Sequence, residues 1–204
     1  MPSRRQPPAT DESITDEDWY GEDLSGRSHE RVALREIDMT ETTSTSGATF
    51  VDCTFRGVRF NVSVHAGAAF SNCSFSNCSF FDASFTDCKF LGSTFERCTF
   101  DRFTVRGGDW SFVALAGADL RTASIEGVRM READLTGARC DGATIRHVDL
   151  SGAWLGKASF ARCDLRGSDV TAIDPLSTPM DGAIITWDQA AVLAAAMGLD
   201  VRPE

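Results

Sequence analysis

Lysine is nearly missing from this chain, with two residues against 18 arginines, and basic residues as a whole are in the minority, 20 against 30 acidic, for a net charge of −10. A chain of that sign is not built for nonspecific attachment to nucleic acid or to an anionic membrane surface, because both partners repel it. Nor is there an apolar run near the ~20 residues a membrane helix needs. The first residues, MPSRRQPPATDES, hold two arginines but no apolar stretch, so no secretory signal is expected there. Catalytic and metal-binding signatures are also missing. Three histidines, His29, His65 and His147, stand far apart, and none has a Cys or Ser at a catalytic spacing. Cys73 and Cys78 are five apart, not in the C-x2-C spacing that zinc favours. No phosphate-binding or dinucleotide glycine motif occurs, and no carboxylate pair stands out for acid–base work. The expectation is therefore no enzyme, no cofactor and no metal. An odd cysteine count of seven points to buried thiols in a reducing cytoplasm.

What is present is a repeat. Every fifth residue from Phe50 to Phe100 is Phe, with His65 the one exception. The series continues through Val105, Trp110, Leu115, Leu120, Ile125, Met130, Leu135, Cys140, Ile145, Leu150, Leu155, Phe160, Leu165 and Val170. Eleven of the fourteen phenylalanines share this register. Two residues earlier runs a second series of small side chains, which takes six of the seven cysteines; Phe103 and Gly108 are its misfits. A period of five matches neither a helix nor a strand. It requires a chain that turns a corner every five residues. Four corners make a coil of about 20 residues, and coils bury their apolar series only by stacking at the ~4.8 Å strand spacing. The expected fold is a four-sided parallel β-helix of about seven coils over residues 19–185. An earlier run, Leu24, His29, Leu34 and Met39, is one residue out of step, and the stretch TETTSTSG at 40–47 is expected to absorb the offset.

The ends differ from the middle. Residues 1–18 are rich in Pro, Ser and acid without periodicity and are expected to be a mobile tail. Residues 186–204 begin with a short helix: Thr186 and Gln189 have capping-box spacing, and Gly198 is a natural stop. Its apolar residues can plug the tube or meet a second chain. Net charge is −6 over residues 1–48, zero over 49–170 and −4 over 171–204. Residues twenty apart share a side of the tube. Asp109, Asp149 and Asp169 lie on one side with Asp52 nearby, and that side sums to −2 over residues 48–172.

This pattern resembles the pentapeptide-repeat family, whose coil is a right-handed quadrilateral β-helix. WYGEDLSGRSHERVAL at 19–34, the loop-free centre and the tail DQAAVLAAAMGL together resemble the fluoroquinolone-resistance branch of Qnr and Mfp type, most closely the mycobacterial Mfp type. The resemblance implies a cytoplasmic rod-shaped homodimer that mimics DNA and binds the DNA-binding saddle of DNA gyrase, inhibiting it or protecting it from quinolone-type poisons. It assigns Asp52, Asp109, Asp149 and Asp169 to the gyrase-facing side. It assigns Trp187, Val192, Leu193, Ala196, Met197 and Leu199 to the dimer contact. The projecting loops of Qnr-type proteins do not interrupt residues 50–170. Two rival readings are self-immunity against a gyrase-poisoning natural product, and an interaction module with no topoisomerase partner.

Overall fold

The computed structural model describes residues 6–44 and 46–202. The chain winds as a four-sided parallel β-solenoid of about seven turns. The side carrying Phe55 is a five-stranded parallel sheet that begins with Glu12–Thr15, Val32–Arg35 and Thr54–Arg56. The side carrying His65 holds six strands, running from Thr43–Ser44 to Thr144–Arg146. Three strands make the side of Phe50, and the side of Phe60 is joined by single bridges such as Arg59↔Ser79 and Ser79↔Thr99. Among the described residues, no helix is long and apolar enough to cross a membrane.

Most corners hold a residue with positive φ, which explains the Gly, Asn and Asp in the fifth place of many repeats, while Arg, Glu, Lys and His take others. Two corners hold large apolar residues. Val62 (φ +57°) and Phe112 (φ +59°) hold the left-handed conformation with large side chains, and both are about 40% exposed. A β-branched or aromatic residue there is strained.

Inside the tube the aromatic register becomes face-to-face stacks at the coil spacing. Phe50–Phe70, Phe55–Phe75 and Phe60–Phe80 have ring centroids 5.0, 4.6 and 4.9 Å apart, with interplanar angles of 10° or less. The two misfits of the small series compensate one another. Phe103 is buried against Phe80, Phe85, Phe100 and Trp110. One repeat later the backbone at Gly108 is drawn so close that a Cβ would stand 2.0 Å from the Cys88 carbonyl oxygen.

The one-residue offset falls between Ser44 and Thr49, inside the expected stretch. Pairs that span it are 21 apart, as in Ser28↔Thr49 and Ala33↔Thr54, whereas pairs wholly below or above it are 20 apart, as in Ser13↔Ala33 and Thr49↔Ala69. The expected mobile tail over residues 1–18 needs correction. Glu12–Thr15 is a strand paired with Val32–Arg35, and Asp18 bridges to Asp38. Ile14 and Trp19 carry the five-residue series back from Leu24, and both pack on the core. Residues 1–5 of that tail lie outside the described residues.

The helix α1 spans Trp187–Ala196 with both capping-box bonds in place. Gln189 donates from Nε2 to the carbonyl oxygens of Leu165 and Ser168, each at 2.7 Å, and Leu193 joins the core cluster. One face of α1 therefore closes the end of the tube, and its Gln189 takes up the Ser168 carbonyl in place of a further coil.

Candidate interaction surface

Every coil places its outward side chains in columns, one residue above another at the strand spacing. On the Phe50 side one column runs Ala69, Lys89, Asp109, Arg129, Asp149, with the Asp169 amide bonded to the Val148 carbonyl in the next coil. Asp109, Asp149 and Asp169 are thus brought together on one side, as the twenty-residue spacing implies. Asp52 stands at the corner of that side, with φ +50°.

The sequence reading missed what lies between them. Asp109 accepts from Arg129 Nη1 at 3.1 Å, and Asp149 accepts from Arg131 Nε at 2.5 Å. Arg129 stands twenty residues after Asp109, so the same arithmetic could have found this pair. Other sides repeat the device: Asp38–Arg59 (2.7 Å), Asp82–Arg102 (3.0 Å) and Asp119–Arg139 (2.6 Å). Carboxylates and guanidiniums alternate up the tube, which damps the field of the central coils.

Each of these aspartates also holds its own turn. Asp109, Asp149 and Asp169 accept the backbone N–H two residues on at 3.0, 3.1 and 2.8 Å. At Asp109 burial pushes the carboxyl up, but bonds from Ser111 and Arg129 outweigh it and the net shift is downward. Bonds from Ser151 and then Arg131 hold Asp149 down. Asp38 is lowered to about 2, chiefly by Arg59.

Uncompensated charge sits elsewhere. Residues 11–41 carry eleven Asp and Glu against three Arg, and they form the first coils of the tube. The acid excess of the N-terminal end is therefore displayed on a rigid scaffold.

At the other end, the residues assigned to a dimer contact divide. Trp187, Met197 and Leu199 are 92%, 52% and 61% exposed, and Val192 and Ala196 are exposed too, whereas Leu193 faces the tube. The expectation that Leu193 and Met197 share one contact is thereby corrected. The tube end sits on the Gln189–Leu193 edge of the helix, and Met197, already past the last turn, points away.

The thiols and His65 lie in the tube's core or against it. The seven cysteines are free. Burial pushes Cys73, Cys78, Cys88, Cys140 and Cys163 up, to about 11 for Cys88 and about 12 for Cys163. A hydrogen bond with Cys73 lowers Cys53 to about 7, and one with Cys78 lowers Cys98. His65 lies inside the tube, stacked 5.0 Å from Phe85, with Nδ1 2.8 Å from Ser44 Oγ and Nε2 without a hydrogen-bond partner. Among the described residues no group of three or more His, Cys, Asp or Glu is placed to hold a metal ion. What the surface offers is shape, columns of charge and apolar side chains at one end.

This coil defines a class: proteins of five-residue repeats wound into a four-sided β-solenoid. The family model for pentapeptide repeats matches residues 66–102, 115–152 and 145–174, in eight copies, and the chain belongs to the pentapeptide-repeat family. Solved structures similar to it include trypsin-treated QnrB1, a plasmid-mediated fluoroquinolone resistance protein. That likeness has 17% identity and a TM-score of 0.41 over 96% of this chain and 100% of that one. HetL, involved in heterocyst differentiation regulation in Nostoc sp., is 18% identical, with a TM-score of 0.33 over 86% of each chain. Rfr23 from Cyanothece is 13% identical, with a TM-score of 0.27 over 84% of this chain and 88% of that one. No curated protein matches the chain.

Proposed function

We propose that the protein is a DNA mimic that binds DNA gyrase as a rod-shaped homodimer. The observation that carries this reading is a loop-free four-sided tube on which carboxylates recur at the coil spacing, with the largest acid excess held on its first coils. The resemblance of residues 19–34 and of the C-terminal tail to the Qnr and Mfp branch points to the same partner. Seven steps of about 4.8 Å make about 34 Å per subunit, so two subunits end to end match about 20 base pairs. Such a rod meets a basic saddle through complementary charge, which salt weakens.

The purified protein should inhibit supercoiling by gyrase in competition with DNA rather than with nucleotide. Replacing Asp109, Asp149 and Asp169 together by Asn keeps the oxygen that each turn needs and leaves Arg129 and Arg131 uncompensated. Inhibition by that variant should fall by about tenfold or more, with the oligomeric state unchanged. Equal inhibition by variant and wild type would remove this side from the contact. If the wild type neither binds gyrase nor alters supercoiling at micromolar concentration, the reading is wrong.

Dimerisation is read from the outer face of α1. Met197→Glu places a charge at the exposed C-terminal end of α1, beside Leu199 in the chain, without touching the tube, so sedimentation should shift from dimer to monomer with the melting temperature nearly unchanged. Leu193→Glu should instead lower the melting temperature, because it buries a charge in the cap. A wild type that sediments as a monomer would leave α1 as a cap alone.

A further inference from the structure

The chain leading into the first coil does not hang free from it. Asp11 is the lowest rung of a corner column: its amide bonds to the Arg31 carbonyl at 2.7 Å, and its carboxylate pairs with Arg31 at 2.8 Å. Above Arg31 that corner continues through Asp52, Asn72 and Gly92, all with positive φ. Gln6 and Pro8 line a cleft together with Asp52, Asn72, Cys73, Gly92 and Thr94. The five residues back from Asp11 therefore pass Arg31 and Asp52 and climb to the level of Asn72, three coil steps above Asp11. The lengths agree, since five extended residues span about 17 Å and three coils about 14 Å.

Three features suit the corner to this occupant. Its residues are small or short for three successive coils, and the strained, exposed Phe112 is the next rung of the column. A segment running along the axis lies across the coil strands and cannot add to their hydrogen-bond ladder. Proline, which has no N–H to satisfy, loses nothing there. Pro7 and Pro8 also hold the segment extended beforehand, which reduces the ordering cost of laying it down.

We propose that the Asp52–Asn72–Gly92 corner is a binding groove for an extended proline-bearing peptide segment, occupied in this protein by its own residues 6–10. A partner offering such a segment competes with the chain's own, and any partner approaching the Asp52 side meets this strap first. The inference is independent of gyrase as the partner.

The test compares amide and side-chain NMR resonances of the full chain with those of a chain in which Met directly precedes Asp11. Removal of the segment should move the signals of Asp52, Asn72 and Thr94 while those of the Asp82–Arg102 corner stay in place. A synthetic peptide of residues 1–11, added to the shortened chain, should return them toward their full-length positions in a saturable one-to-one titration. The same peptide with Pro7 and Pro8 replaced by Gly should bind about tenfold or more weakly. Identical spectra with and without the segment overturn the proposal. So does a peptide that shifts the Asp82–Arg102 corner equally.

Discussion

Phe85→Asp should leave the tube unable to fold around its third and fourth coils, with β-type circular dichroism reduced and the urea midpoint lost or far below that of wild type. Phe85 is fully buried and stacks on His65 at 5.0 Å, with Phe90 at 5.2 Å and Phe103 at 5.7 Å. Deleting a buried phenylalanine costs about 3–5 kcal/mol, and the carboxylate adds a desolvation penalty among phenylalanines that the neighbouring buried His65 ring does not offset. A whole domain holds about 5–15 kcal/mol, so this one change consumes a large share of it. Phe85→Leu keeps the apolar register and should fold with a modest loss. A Phe85→Asp protein as stable as wild type would mean that the inward series is assigned wrongly.

The second large effect is a loss of stability in mild acid. Burial alone depresses His65, to about 4, against an ordinary value of 6.5. Between those values the unfolded chain binds a proton that the folded chain refuses. Stability is thus fully present above pH 6.5 and falls as pH drops toward 4. A depression of about 2.5 pH units corresponds to about 3 kcal/mol at the bottom of the window. Half-buried His29 is lowered too, by burial and then by Arg27, and adds in the same direction. Aspartates such as Asp38, lowered to about 2, act in a lower window, losing their contribution as pH falls from 3.8 toward 2. His65→Phe separates the two. It restores the register residue and removes the unpartnered Nε2 from the core, at the cost of the bond to Ser44 Oγ. Its stability at pH 7 should lie within about 1 kcal/mol of wild type. Its urea midpoint between pH 6.5 and 4.5 should be much flatter with pH. If wild type and variant decline in parallel over that window, His65 is not the titrating group.

Burying a histidine in an aromatic stack is a local fault that the repeat tolerates. Ser44, one coil below, supplies the hydroxyl on Nδ1, and both residues occupy places that Phe or Leu fill elsewhere. The substitution sits next to the one-residue offset between Ser44 and Thr49. Stacking is nearest-neighbour in such a tube, so an irregular coil costs stability locally without breaking the register above or below it.

The inward residues, the coil length, the offset near residues 40–47 and the capping box of α1 were all legible in the order of amino acids. The reason is physical. A core formed by one residue in five leaves a periodic trace no other fold shares, and a helix cap is a contact between residues three apart. Glu12–Thr15 escaped notice because Ile14 is the one inward residue among polar and acidic neighbours, and a strand with one half-buried side chain has little pattern to show. What belonged to the tertiary structure alone were contacts that the 20-residue arithmetic does not give. Asp109 meets Arg129 at that spacing, but Asp149 meets Arg131, 18 residues away, because that guanidinium reaches across to the next coil. A side that reads as acidic is therefore a ladder of paired charges. The same winding gave α1 its two unlike faces. A tube that ends must cover its last carbonyls and core, so Gln189 and Leu193 turn inward, while Trp187, Val192, Ala196, Met197 and Leu199 stay exposed.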